Sequence, residues 1–226
     1  TCPSGLDGTN PSEASPVSDS DTLNEARGCA AFHAMLPYLT DAIFGDELEA
    51  NTSYSAKRNW LHLQAPLIYI FDAPSELEGT TSYFDDVSTD GTTESKADIV
   101  TAALETTATQ LTDWFDSSNS DDWIWGQVHT VSFTSFFAEA GLPIFDEGPF
   151  VNDGGFYTVD VANPRGRSDN FDENADYPLA HPNGPSCRLV MEVSDGSFRA
   201  SFELPGGQDH HRESQWYLSL AEKWLT

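Results

Sequence analysis

Residues 187–204 read CRLVMEVSDGSFRASFEL and, apart from Val190, alternate apolar with polar side chains on both sides of Asp195-Gly196. An Asp-Gly pair is the strongest short-range signal for a two-residue type I′ turn, because both central residues need positive φ. Such a turn sets an antiparallel register, and a one-residue slip would invert both faces of the ribbon. The stretch therefore predicts one β-hairpin in one register. Its predicted pairs are Val193 with Phe198, Glu192 with Arg199, Leu189 with Phe202 and Arg188 with Glu203, and its apolar face is Cys187, Leu189, Met191 and Val193 against Phe198, Ala200, Phe202 and Leu204.

Helices are predicted before most of the strands. Asp21 or Thr22 is predicted to cap a first helix, which is broken or kinked by Pro37 and continues as a second piece to about Leu48. Residues 61–71 are apolar, and their periodicity is compatible with a buried strand or with a short core helix. A clear helix follows from about 94 to 115, and its apolar stripe is Val100, Leu104, Thr107, Leu111 and Trp114.

The second half of the chain is predicted to hold strands and a closing helix. Because the helices come first and do not alternate with the strands, the pattern indicates an α+β fold rather than βαβ units. We expect residues 1–93, a helical segment with acidic loops, and residues 94–226, a helix plus antiparallel sheet, to be parts of one larger domain. The predicted strands lie at about 127–134, 156–161, 187–194 and 197–204, and the final helix, at about 211–224, puts Trp216, Leu220 and Trp224 on one face.

The chain is strongly acidic. Ten Lys plus Arg stand against 37 Asp plus Glu, which gives a formal net charge of −27 at pH 7. Phosphate binding relies on a basic footprint, so this balance excludes nucleic acid and an anionic membrane surface as partners. The sequence contains no run of about eighteen apolar residues, so it predicts no membrane-spanning helix. No signal peptide opens the sequence, so we expect a processed or internal start. The scarcity of lysine suggests a saline habitat, where counterions screen the repulsion.

Three segments carry a recognisable pattern, in order and at similar spacing. Residues 123–133 read WIWGQVHTVSF, a Trp-x-Trp-Gly-x-x-His-x-x-x-Phe strand start, and residues 154–159 read GGFYTV, a Gly-Gly-x-x-Thr-Val strand. Residues 184–208 run from Gly-Pro-Ser-x-Arg through the hairpin to a Pro-Gly-Gly-Gln turn, and a Trp-bearing terminal stretch follows. Together these segments resemble the C-terminal end of the penicillin acylase family of N-terminal-nucleophile hydrolases. The resemblance covers residues 95–225; before that, only a helical, Cys-bearing segment is comparable.

The resemblance implies an αββα sandwich and hydrolysis of the amide bond of N-acyl compounds, such as penicillins or acyl-homoserine lactones. In the family, the N-terminal Ser of the β chain attacks and its amine acts as base, while an Asn side chain and a backbone N–H stabilise the oxyanion. The order of the motifs puts these groups upstream of residue 1. We therefore assign no catalytic, cofactor or metal residue here, and we expect a piece that is inactive alone.

The resemblance also implies partners and a compartment. The partners would be the α chain and the N-terminal part of the β chain, and the ligand would be an N-acyl small molecule. We expect a periplasmic or extracellular enzyme, and calcium in the whole enzyme stays open.

Three cysteines leave the disulfide pattern open. Cys2 lies in a Pro/Gly/Ser loop and Cys29 on a predicted helix, and a Cys2–Cys29 disulfide is the favoured pairing because it would staple that loop to the helix. Cys187 lies on the apolar face of the hairpin, where a free thiol behaves as a small hydrophobe. Three free thiols are the alternative.

Several residues could carry chemistry, but each has a simpler interpretation. Thr1 could be an N-terminal nucleophile, yet it precedes a loop instead of a buried strand, so we expect no catalysis from it. His129 could be an acid or base; no Ser or Asp has supporting spacing, so we expect a structural role. His211 and Glu213 lie two residues apart and cannot share one helix face, so with Asp209 and His210 they indicate a solvated loop rather than a metal site.

An acidic loop and an aromatic cluster complete the candidates. The loop resembles a calcium site in content only, because it lacks the Asp-x-Asp-x-Asp-Gly order, and charge pairing with nearby arginines is the simpler interpretation. The aromatic cluster indicates core, although it could wall an acyl pocket in the assembled enzyme. The loop residues are Asp169, Asp172, Glu173 and Asp176, the arginines are Arg165 and Arg167, and the aromatic residues are Trp125, Phe133, Phe136 and Phe137.

The alternative function is a secreted, acidic, β-rich carbohydrate-binding module without catalysis. Its exposed tryptophans would serve as stacking platforms for sugars. Expressed alone, a module should fold and bind glycans, whereas a piece of an enzyme should expose apolar surface and need its partner chain.

Overall fold

The computed structural model describes residues 1–49, 52–72, 84, 94–135, 137–138, 140–158, 162–165, 171–181 and 188–203. The predicted helix at 211–224, the turn at 204–208, Cys187 and the His210-His211 cluster lie outside these residues. The helices are α1 (Ser20–Glu49), α2 (Gln64–Asp72), α3 (Lys96–Phe115) and α4 (Trp125–Val128), with 3-10 turns at Trp60–Leu63, Ser120–Asp122 and Pro143–Phe145. The strands are β1 (Leu6–Asp7), β2 (Ser15–Pro16), β3 (Thr130–Phe133), β4 (Glu147–Val151), β5 (Arg188–Ser194) and β6 (Ser197–Glu203).

The fold is α+β, as predicted. Within the described ranges the strands form three separate two-stranded antiparallel sheets, β1-β2, β3-β4 and β5-β6. The longest helix, α1, packs against α3. The αββα sandwich stays a prediction. Among the described helices, none is long and apolar enough to cross a membrane.

Helix α1 is one continuous helix of 30 residues, and the predicted break at Pro37 is wrong. Leu36, Tyr38 and Leu39 are all buried beside the proline. Proline has no backbone N–H to donate within the helix. The burial of side chains on both sides of it stabilises the helix, which therefore continues past Pro37. The cap also differs from the prediction, because the Asp19 carboxylate accepts the backbone N–H of Thr22 at 2.9 Å.

The apolar stretch at 61–71 is helical, which resolves the alternative that periodicity left open. It forms the 3-10 turn Trp60–Leu63 followed by α2, with Leu67 and Ile70 buried. Helix α3 starts with a capping box between Ser95 and Asp98. Its buried row is Ile99, Ala103, Thr107 and Leu111, whereas Leu104 from the predicted stripe is 49% exposed.

Strand β3 is shorter than predicted, because residues 125–128 form the short helix α4 before it. Strand β4, which was not predicted, pairs with β3 and places Val131 opposite Phe150. At Gly148, φ is +104°, and a Cβ there would lie 2.8 Å from the carbonyl oxygen of Val131. Glycine is therefore required where the two strands approach each other.

The predicted strand at 156–161 is wrong for the part that the structure describes. Residues 156–158 form a turn, and residues 159–161 lie outside the described ranges. Gly154 and Tyr157 have φ of +84° and +67°. A strand cannot continue through left-handed residues, so the Gly-Gly segment turns the chain instead.

The hairpin of β5 and β6 has the predicted register at all four pairs. The two-residue turn at Asp195-Gly196 is also confirmed, but the type I′ assignment is wrong, because of its two residues only Gly196 has positive φ, at +75°. Such a turn spares Asp195 the cost of the left-handed region. The predicted apolar face is exposed within the described residues: Met191, Val193 and Phe198 are 61%, 78% and 65% exposed.

Candidate functional site

Two histidines sandwich a tryptophan at the centre of the core. The ring of Trp125 lies 4.6 Å from that of His33 and 4.2 Å from that of His129, centroid to centroid, with interplanar angles of 27° and 13°. All three side chains are fully buried. The indole N–H of Trp125 donates to the carbonyl oxygen of Gly154 at 2.7 Å. The stack thus ties α1, α4 and the Gly154-Gly155 turn together.

His33 has a structural partner at each ring nitrogen. Its Nδ1 lies 2.9 Å from the carbonyl oxygen of Cys29, and its Nε2 accepts the backbone N–H of Phe156 at 2.9 Å. This pattern requires a neutral ring with the proton on Nδ1. Burial lowers the pKa of His33, against the opposing effect of these two hydrogen bonds. The ring is therefore buried and uncharged, and it links α1 to Phe156 through its hydrogen bonds.

His129 is held in the same way from the other side of the stack. Its Nδ1 donates to the carbonyl oxygen of Leu179 at 2.7 Å, and its Nε2 lies 3.3 Å from the amide nitrogen of Asn152. Burial, with smaller contributions from neighbouring His33 and His181, lowers the pKa of His129 to about 3, against the opposing effect of the hydrogen bond to Leu179. A ring that is neutral at physiological pH, with both nitrogens engaged, fits the structural role expected from the sequence.

The N-terminal segment docks onto this stack. The structure joins Cys2 to Cys29 in a disulfide, the pairing favoured from the sequence. Backbone N–H groups of the two motif segments hold the same segment: Gly154 donates to the carbonyl oxygen of Cys2 at 2.7 Å, and Gly126 donates to that of Ser4 at 2.8 Å. Residues 2–4 are therefore fastened to both segments and to α1.

The glycines of the two motifs are required by close packing. A Cβ on Gly126 would lie 2.9 Å from both Ser4 Cβ and Val151 Cγ1. A Cβ on Gly155 would lie 2.8 Å from the ring of His33. Real side chains do not tolerate such distances without a shift of their neighbours. The motif positions thus serve the assembly of the stack.

Thr1 lies at the surface, outside any strand. Its hydroxyl donates to the carboxylate of Glu25 at 2.6 Å, and the residue is exposed. This hydroxyl is bound to an acid on α1.

The acidic loop is anchored by a lysine that the sequence analysis did not connect with it. Lys57 Nζ lies 3.1 and 3.0 Å from the two carboxylate oxygens of Glu173, and the hydroxyl of Tyr38 donates to the same carboxylate at 3.1 Å. The indole of Trp114 donates to the Glu173 carbonyl oxygen. Glu173 is therefore a docking residue that joins the loop to α1 and α3.

The ionisable groups around Glu173 show the effect of burial. Burial, and then the charge of Glu173, raises the pKa of the Tyr38 hydroxyl. Burial also raises the pKa of Asp41, against the opposing charge of Lys57. These groups form a tight, half-buried network whose geometry serves packing.

The described part of the acidic loop contains a hydrogen-bonded turn. Asp172 accepts the backbone N–H of Asn174, as in an Asx turn. Among the described residues, no group of three or more His, Cys, Asp or Glu side chains could hold a metal ion. Asp169 and Arg167 lie outside the described ranges. The backbone carbonyl oxygen of Arg165 accepts the indole N–H of Trp60 at 2.8 Å.

The aromatic cluster is partly core. Trp125 and Phe133 are fully buried, whereas Phe137 is 39% exposed and Phe136 lies outside the described residues. The four tryptophans within the described ranges are buried or half-buried. They offer no stacking platform of the kind that a carbohydrate-binding module needs.

Comparison with known proteins identifies one related family. The sequence model of the family described as penicillin amidase matches residues 19–226. No curated protein and no solved structure matches the chain. The matched range includes the whole His33–Trp125–His129 stack and the hairpin.

Proposed function

Because the chain belongs to the penicillin amidase family, we propose that it is the C-terminal part of the catalytic subunit of an acylase. The family consists of amidohydrolases of the acylase type. The whole enzyme would hydrolyse the amide bond of N-acyl compounds such as penicillins or acyl-homoserine lactones. The family match over residues 19–226 is the observation that carries this proposal.

The reaction would use a nucleophile outside these 226 residues. The hydroxyl oxygen of an N-terminal serine would attack the amide carbonyl, and the serine's own amine would take the proton and pass it to the departing amine. Water would then cleave the acyl ester. The engaged ring nitrogens of His33 and His129 support this assignment, because neither ring is available as a base.

The role of this chain would be to complete the fold around that serine. Its partners would be the α chain and the N-terminal part of the β chain. The packing of α1 on α3 supports one larger domain, since these helices belong to the two segments at 1–93 and 94–226. The Cys2–Cys29 disulfide supports a periplasmic or extracellular location, where disulfides persist.

A labelling experiment tests the proposal. The protein purified from its source is treated with a sulfonyl fluoride that modifies active serines, and each chain is analysed by mass spectrometry. We expect the label on the N-terminal serine of a co-purifying chain, together with loss of hydrolysis of a chromogenic N-acyl anilide. A Thr1→Ala variant should keep wild-type activity in the assembled enzyme. Hydrolysis by residues 1–226 alone, or a label within them, would refute the proposal.

A further inference from the structure

The turn between β5 and β6 leaves two reactive groups side by side. Asp195 and Gly196 are exposed, and a Cβ placed on Gly196 would meet nothing within 4 Å. The last pair of the ladder is Ser194 with Ser197, so the backbone N–H of Gly196 lies outside the ladder. Among the described residues, no hydrogen bond engages this N–H or the carboxylate of Asp195. The carboxyl group and the backbone nitrogen that follows it are therefore both available for reaction.

We propose that Asp195 is a site of spontaneous isomerisation to isoaspartate. The backbone nitrogen of Gly196 attacks Cγ of the protonated Asp195 carboxyl group, and no side chain on Gly196 hinders this approach. A C–N bond forms, and the carboxyl hydroxyl leaves as water together with the amide proton, which gives a five-membered succinimide ring. Water then adds to one of the two ring carbonyls. Opening at Cγ restores aspartate, and opening at the main-chain carbonyl gives isoaspartate.

A second Asp-Gly pair provides the contrast within the same chain. Asp153 is exposed like Asp195, but its Oδ1 accepts the backbone N–H of Ser4 at 2.6 Å. The backbone N–H of Gly154 donates to the carbonyl oxygen of Cys2 at 2.7 Å. Both hydrogen bonds have to break before the ring can close. Because the dipeptide is the same at both places, these contacts set the difference in reactivity within the folded chain.

Isomerisation changes the length of the turn. In isoaspartate the main chain runs through Cβ and Cγ, so the turn between Ser194 and Ser197 becomes longer by one backbone atom. The register of this hairpin depends on a connection of two residues. The longer connection therefore disturbs the pairs next to the turn first, and Val193 with Phe198 is the nearest apolar pair. The turn is thus a place where a slow chemical change loosens the hairpin.

Quantifying isoaspartate at the two pairs tests the proposal. The purified protein is stored at neutral pH, digested with trypsin and analysed by electron-transfer dissociation, which distinguishes isoaspartate from aspartate. Trypsin releases Asp195 in peptide 189–199 and Asp153 in peptide 97–165. We expect isoaspartate to accumulate at least about tenfold faster at Asp195 than at Asp153, because hydrogen bonds of the folded state protect the latter. In the urea-unfolded chain this difference should disappear. Equal rates in the folded protein, or isoaspartate at Asp195 only after unfolding, would refute the proposal.

A matched variant tests the consequence for the hairpin. Asp195→Glu keeps the charge, but its ring closure would need a six-membered imide, so it should not isomerise. Amide hydrogen exchange of Val193 and Phe198 should become at least about tenfold faster in the isomerised fraction of the stored wild-type protein. The same amides should be unchanged after storage of Asp195→Glu. Equal acceleration in the two proteins would show a cause other than Asp195, and would overturn the link between this residue and the hairpin.

Discussion

Replacing His129 with glutamine should flatten the dependence of stability on pH between 7 and 5. In the folded chain, burial lowers the pKa of His129 from its ordinary value of 6.5 to about 3. The unfolded chain therefore takes up a proton at this residue below pH 6.5, whereas the folded chain does so only near pH 3. The free energy of unfolding falls as the pH drops from 6.5 towards 3, because protons bind the unfolded state preferentially.

The magnitude follows from the two pKa values. Because the buried ring stays neutral, His129 should lower the free energy of unfolding by about 2 kcal/mol between pH 8 and pH 5. His33 changes in the same direction, and its share remains in the variant. At pH 7 the free energy of unfolding of His129→Gln should be about 1–3 kcal/mol below that of the wild type, because hydrogen bonds are lost. Between pH 7 and 5, however, the free energy of unfolding of the variant should fall by about 2 kcal/mol less than that of the wild type.

Urea unfolding at pH 7, 6 and 5 measures this difference directly. His62→Gln is the matched control, because His62 is exposed and its replacement should leave the wild-type pH dependence in place. The carboxylates are the same in the wild type and the variant, so their titration cancels in the comparison. If His129→Gln retained the full wild-type decrease from pH 7 to 5, a neutral buried ring at His129 would be ruled out.

Three further predictions test packing, the disulfide and the charge. Gly126→Ala should destabilise the fold by about 1–3 kcal/mol, because its Cβ would lie 2.9 Å from Ser4 and Val151. The control Gly28→Ala in α1, where a Cβ would have nothing within 4 Å, should stabilise the fold by about 0.5–1 kcal/mol in the same urea titration. Replacing Cys2 and Cys29 together with serine should cost about 3–4 kcal/mol, since it opens a loop with a sequence separation of 27, and reductant should then have no further effect. Raising salt from low concentration to about 1 M should raise Tm, because counterions screen the repulsion within a chain of net charge −27; a flat melting curve series would contradict this.

The features predicted best from the sequence are those specified by neighbouring residues. The hairpin register follows from one turn and the alternation on either side of it, and all four predicted pairs are present. Helix α3 was predicted because its periodicity is local, but its buried row starts at Ile99, one residue before the predicted Val100. Which face of α3 is buried depends on which side of the helix packs against α1, and the periodicity of α3 alone does not determine this.

The features missed from the sequence depend on distant partners. Strand β4 contains Gly148 and Pro149, which normally argue against a strand, and it exists because it pairs with β3. His33 was not singled out, since its partners Trp125 and Phe156 lie far along the chain. One signal was available: His33 stands in the apolar run AAFHAML, where a buried polar ring requires hydrogen-bond partners.

Residues of the first two motifs converge on one packing centre. Trp125 and His129 of the first motif stack with His33, and Gly155 of the second motif leaves room for that ring. Gly126 admits the N-terminal segment beside them. Each position has a steric or hydrogen-bonding reason to hold its residue type, and none of these reasons involves a substrate. These residues of the two motifs therefore serve the assembly of the fold.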